Sequence, residues 1–165
     1  MDYKKSLQKA KSFAEIFQLV KEAVRGYTGN YQAGLLLGLS DLGSYENAYL
    51  GAFYSFDANT IVINKRPLNK IKKANPSLYN PYIFHVLLHE YIHSLGYHDE
   101  ELTRKITFEI CDRLLGGNHL ATRLAKDITQ FMPHFAYSNY GYFPRGEPQI
   151  RLVEGFDRGN LTYVS

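Results

Sequence analysis

The stretch from Asn80 to Gly96 constrains this chain more than any other. Tyr82-Ile83-Phe84-His85-Val86-Leu87-Leu88 is apolar on nearly every side, a pattern that requires a buried helix. Both ends carry punctuation. Asn80 is a preferred N-cap, Pro81 suits the first helical position where its missing N–H costs nothing, and Gly96 suits the left-handed residue just past the end. Into this apolar helix the sequence sets His89, Glu90 and His93. Unpaired charge is expensive to bury, so these three side chains need partners.

The spacing says what kind. Residues four apart on a helix lie about 40° from one another around the axis, so His89 and His93 can aim ring nitrogens at one ion about 2.0–2.1 Å away. Glu90 points to a neighbouring sector, where its carboxylate reaches a water activated by the ion rather than the ion itself. The HExxH pattern thus supplies two zinc ligands, His89 and His93, and one general base, Glu90. Two plainer arrangements compete with it. One is a pair of core histidines beside a solvated glutamate. The other is a non-catalytic module with a closed four-ligand zinc site, in which Glu90 would be dispensable.

Beyond the motif, His89-Glu90-Tyr91-Ile92-His93-Ser94-Leu95-Gly96-Tyr97-His98-Asp99 resembles the extended zinc-binding consensus of the metzincin metallopeptidases. In that family a glycine three residues after the second histidine permits the turn that returns a third ligand, six residues after it, to the metal. Gly96 matches, and Asp99 follows the family's minority form with aspartate at the ligand position. The resemblance implies a zinc-dependent peptidase acting on a peptide or protein substrate. It also implies a methionine turn beneath the metal, for which Met132 is the candidate, and an oxyanion-stabilising residue nearby, for which His134 or Tyr137 could stand.

The third ligand has rivals. Asp99 is also a good N-cap for a following helix, Glu100 to Leu115, whose acidic first turn suits the macrodipole. If that helix folds back on the first, the chain instead resembles minimal gluzincin-like peptidases, and Glu109 becomes the ligand. Glu109 lies beside the Leu102, Ile106 and Ile110 stripe, where an ion pair with Arg113 would equally account for it. His98 and His119 complete the candidates. His85, one turn before His89, shares its face and could line the site. An alternative resemblance is to bacterial ribosomal-RNA-maturation endoribonucleases, which carry three zinc histidines at the same spacing. There the last pair runs aspartate then histidine, the reverse of His98-Asp99, and Glu90 has no counterpart.

At 165 residues and 45% hydrophobic, with 14 Tyr and 10 Phe, the chain has the composition of one α+β domain with an aromatic core. Within residues 1–165 the expected division is sheet and active-site helix over 1–99, a helical lower half over 100–131, and a Tyr/Gly/Pro-rich tail over 132–165. No apolar run is long enough for a signal peptide or a membrane span. Cys111 is the single cysteine, so no internal disulfide forms, and together these favour a cytoplasmic protein. A net charge of +3 argues weakly for any polyanion, which makes nucleic acid an unexpected partner. The basic run Lys65 to Lys73 reads as a solvated loop or turn of helix.

The remaining pattern supplies an architecture. Apolar spacing predicts a helix from Tyr3 to Arg25 with Gly26 as its stop, strands over Ala33–Leu39, Ala48–Phe56 and Thr60–Asn64, and a hairpin turn at Asp57-Ala58-Asn59. The sheet should be short and largely antiparallel, with Thr60–Asn64 or Ala52–Phe56 at an edge open to an added peptide strand. After Gly116-Gly117, Asn118 can cap a helix from His119 to Phe131. The tail either covers apolar surface or sets Glu147, Glu154 or Asp157 in the cleft and keeps the site latent.

Overall fold

A computed structural model describes residues 2–43, 48–137 and 149–157. It has an α+β fold. Helices α1 (Tyr3–Lys9) and α2 (Phe13–Thr28) lead into strands β1 (Leu36–Ser40), β2 (Tyr49–Leu50), β3 (Ala52–Ser55) and β4 (Thr60–Asn64). Helices α3 (Lys65–Ala74), α4 (Tyr79–Ser94), α5 (Glu100–Leu115) and α6 (Leu120–Lys126) follow, then the short strands β5 (Phe135–Ala136) and β6 (Arg151–Leu152).

The main sheet runs β3-β4-β1-β6. Its outer pairings, β3 with β4 and β1 with β6, are antiparallel, while the central β1–β4 pair is parallel. Thr60–Asn64 is therefore paired on both sides, and Ala52–Ser55 takes the edge among the described residues. Leu37, Leu39, Ile61, Ile63, Ala52 and Tyr54 alternate onto one face and join a continuous core with Phe17, Val20 and Val24 of α2 and the length of α4. Helix α4 is the centre of that core. Its residues from Pro81 to His93 are all buried, as the apolar run requires.

Local chemistry explains where the boundaries depart from the simple periodic pattern. The first helix is two, because Ser12-Phe13-Ala14-Glu15 forms a capping box. Ser12 Oγ accepts from the Glu15 N–H at 3.1 Å, and the Glu15 carboxylate accepts from the Lys11 N–H at 2.8 Å. Gly26 does not stop α2, which ends instead at Gly29, where φ is 77°. Asn80 does not cap α4; its amide donates to the carbonyls of Leu7 and Ala10 at 2.9 and 2.8 Å and ties α1 to the head of α4. The strand expected over Ala48–Phe56 breaks at Gly51 into β2 and β3. The helix expected over His119–Phe131 is shorter, with the His119 ring rather than Asn118 as cap, and the basic run forms α3 with its charged side chains exposed.

Part of the tail packs on the body. β6 pairs with β1, Phe156 stacks on Phe17 with ring centroids 4.2 Å apart, and Asp157 is buried. The Asp157 carboxylate lies 2.5 Å from Lys21 Nζ and accepts from the N–H groups of Gly34 and Leu35. Asp157 is thus the partner of a buried lysine rather than an occupant of a cleft. Glu154 sits in an exposed turn, and Glu147 lies outside the described residues. Removing one member of a buried, hydrogen-bonded pair strands the other, so Asp157→Asn should cost about 3–5 kcal/mol in urea unfolding. A loss below about 1 kcal/mol, as at a surface pair, would contradict the buried-pair account.

Candidate metal centre

His89 and His93 project from the last turns of α4 toward the first turn of α5, and the residue that meets them is Glu100. These three form the one group among the described residues that could hold a metal ion, with a ligand atom from each lying within 4.8 Å of the others. His89 Nε2 is 2.8 Å from one Glu100 oxygen and His93 Nε2 is 2.9 Å from the other. His89, Glu90 and His93 are only 1–3% exposed.

Asp99, expected as third ligand, is placed otherwise. Its carboxylate accepts from the Leu102 N–H at 2.8 Å and caps α5, which holds it away from the cluster. A cap side chain folds back over the first turn, so in this structure Asp99 does not join the histidines; the next residue, already on the helix, does. The other candidates are engaged elsewhere. Glu109 accepts a hydrogen bond from Tyr27, whose ring also carries the Arg113 guanidinium at 5.1 Å. His119 caps α6, and His98 is exposed. Met132 packs in the core, and His134 is exposed while its carbonyl accepts from the Tyr49 N–H. Cys111 is fully buried, which pushes its thiol up to about 12 and leaves it a small core residue.

The hydrogen bonds around His93 show what the cluster needs to be balanced. The Tyr97 carbonyl is 2.7 Å from His93 Nδ1, so that nitrogen donates, and a neutral ring then turns its Nε2 lone pair toward the Glu100 carboxylate. Two acceptors face each other unless His93 is charged or a cation lies between them. At His89, Nε2 stands 2.8 Å from Glu100 Oε1 as an ion-pair contact without a well-aligned hydrogen bond, and among the described residues Nδ1 of the same ring has no hydrogen-bond partner. Two imidazole nitrogens and a carboxylate, with orphaned lone pairs turned inward, match the chemistry of a metal site.

Without an ion, the electrostatics favour a charged His93 paired with ionised Glu100. Burial pushes the His89 pKa down, only partly opposed by Glu100, whereas at His93 the carboxylates of Glu100 and Glu90 and the Tyr97 carbonyl overcome burial and raise it. Partial burial works against ionised Glu100, but its close contacts with both histidines hold it down at about 2. Burial drives Glu90 up to about 8, with Glu100 adding to the rise and His93 opposing it. Among the described residues Glu90 Oε1 has no hydrogen-bond partner.

Tyr137 covers the cluster. Its ring stacks on His89 with centroids 4.7 Å apart, its hydroxyl meets His85 Nε2 at 2.9 Å, and the Arg104 guanidinium carbon lies 4.3 Å from its ring centroid as a cation over the ring. Burial lowers His85 to about 3, so its ring is neutral. Pairing of β5 with β2 holds Tyr137 there. Phe135 fills the notch left by Gly51, where a Cβ would come within 2.2 Å of its ring. Comparison with protein-family models, curated proteins and solved structures finds no match.

Two outcomes follow from the ligand geometry. Glu100→Gln should weaken metal binding in calorimetry by at least about a hundredfold, beyond the 10- to 100-fold typical of an outer partner. Asp99→Ala should leave affinity within a few-fold and cost about 1 kcal/mol of stability as a lost cap; the reverse pattern would restore Asp99 as ligand. In the metal-free protein, folded Glu90 keeps its proton up to about 8 while the unfolded chain releases it near 4.5. Over that window the folded state binds more protons, so this group's contribution to stability falls as pH rises. Urea midpoints of wild type and Glu90→Gln should therefore converge toward low pH and separate toward high pH; parallel profiles would contradict the assignment.

Proposed function

We propose that this protein is a zinc-dependent peptidase in which His89, His93 and Glu100 hold the metal and Glu90 is the general base. The observation that carries the reading is the wedge at His93: a ring fixed by the Tyr97 carbonyl so that its second nitrogen meets a carboxylate. Two histidines and a glutamate are a donor set of catalytic zinc sites, and three protein ligands leave a position open. Among the described residues no fourth donor joins the cluster, which favours a catalytic over a closed structural site.

Zinc, when bound, supplies Lewis acidity and lowers the pKa of a coordinated water toward about 7. The protein's own part is proton handling and exclusion of solvent. Glu90, with one buried oxygen free of hydrogen bonds to described residues, accepts a proton from a water as that water adds to the peptide carbonyl, and passes it to the amine as the C–N bond breaks. Its raised pKa suits holding that proton between the two transfers, and a neighbouring cation favours its return to the ionised form. The Tyr97 carbonyl keeps His93 in the tautomer that presents Nε2. Tyr137, lying against His89, keeps bulk water from that ring.

The endoribonuclease alternative assigns Glu90 no role. Side-by-side assays of wild type and Glu90→Gln decide the matter. Both proteins should bind one zinc, and the variant should hydrolyse peptide about 10²- to 10⁴-fold more slowly. Equal hydrolysis, or failure of the wild type to take up zinc, would overturn the proposal.

A further inference from the structure

The overall charge of +3 conceals a segregation. Residues 1–11 and 65–80 hold nine of the 19 Lys and Arg but one of the 16 Asp and Glu, which leaves ten basic against fifteen acidic residues for the rest of the chain. The fold brings the two segments together at the head of α4. The Asn80 amide ties α1 there through the Leu7 and Ala10 carbonyls, and α3 leads through Pro76–Leu78 into the same helix. Lys11 and Lys72 line one cleft with Tyr79 and Asn80, while Lys4 lines its neighbour beside Pro76 and Ser77. All eight lysines of these segments are exposed, and among the described residues none is in an ion pair. The ninth cation, Arg66, is taken by Asp41 at 2.7 Å. The single acid, Asp2, is folded back on the Lys5 N–H as the cap of α1, and Glu15 borders the patch, bonded to the Lys11 N–H.

The chemistry of this patch selects among polyanions. Nucleic-acid surfaces combine arginine forks on phosphate with aromatic faces on bases. Here the one arginine is already paired, and none of the exposed large apolar side chains belongs to these segments. Lysines are hydrated point charges on flexible stems, suited to a diffuse field from many headgroups rather than to fixed, directional contacts. Pro67, Leu68 and Ile71, the apolar side of α3, are buried in the protein, so this helix has nothing to insert among acyl chains.

We propose that the lysine-rich face of α1 and α3 docks this protein on an anionic phospholipid surface by charge alone. The acidic remainder of the chain is repelled by the same surface, which orients the molecule as it approaches. Contact without insertion makes the association reversible and strongly dependent on salt. At a rise of 1.5 Å per residue, His89 and His93 lie about 15 and 21 Å along α4 from Tyr79. Docking by the head of that helix therefore does not use the metal centre, and it proceeds with or without zinc.

The test is cosedimentation of the full chain with phosphatidylcholine vesicles, with and without phosphatidylglycerol as a quarter of the lipid. The protein should bind the anionic vesicles alone, and affinity should fall at least about tenfold between roughly 50 and 200 mM salt. Lys5→Gln with Lys9→Gln, and Lys72→Gln with Lys73→Gln, should each weaken binding about 10- to 30-fold, near fivefold per lysine. Lys105→Gln with Lys126→Gln makes the same charge change on α5 and α6 and should leave binding within about twofold. All six substitutions are at exposed positions, so the urea midpoints of the three variants should match wild type. Equal losses from the three pairs would mean that net charge rather than this face governs binding, and that overturns the proposal. So does equal binding to neutral vesicles, or binding indifferent to salt. Tighter capture by a duplex oligonucleotide or by polyglutamate, at equal total charge and salt, overturns the assignment to lipid.

Discussion

The structure around the site depends on one carboxylate facing two imidazoles. Glu100 places its two oxygens within 2.9 Å of His89 Nε2 and His93 Nε2, and so clasps the end of α4 to the start of α5. The arrangement is balanced only if positive charge is present, on a histidine or on an ion between them. Tyr97 narrows the choice at His93 by taking the Nδ1 proton, and burial disfavours a charged His89. A charged His93 balances its side of the clasp, and a cation among the three groups would balance both sides, while His89 Nδ1 and Glu90 Oε1 keep no hydrogen-bond partner among the described residues.

Everything near the cluster serves to fix it. Asp99 starts α5 at the residue that puts Glu100 opposite the histidines, and Gly96, with φ of 103°, turns the chain between the helices. On the other side Gly51 admits Phe135, β5 pairs with β2, and Tyr137 is delivered onto His89 and His85. Arg104 closes the circuit by touching both Glu100 and Tyr137. The site is therefore assembled from three separate chain segments, with α4 as the fixed element buried in the core.

Much of this was legible in the sequence, and the reasons differ by residue. The juxtaposition of His89 and His93 is readable because helical spacing alone sets their relation, and the α+β class because hydrophobic periods change along the chain. The boundaries of α5 followed from Asp99 and Gly116. The same cap argues against Asp99 as ligand and points one residue on to Glu100, whose place in the first turn otherwise marks it only as a favourable charge for the macrodipole. The parallel pairing of β1 with β4 was not legible, since register and direction depend on long-range packing. Arg104 and the way Gly51 steers Tyr137 likewise depend on contacts between distant segments that no local pattern encodes.

The central claim is that Glu100, not Asp99, completes a metal site with His89 and His93. Anomalous scattering at the zinc absorption edge from a crystal of the zinc-loaded protein tests it most directly. The account predicts one strong peak bonded to both Nε2 atoms and to the Glu100 carboxylate, with Asp99 still capping Leu102. A peak bonded to Asp99, or one away from the two histidines, would contradict it.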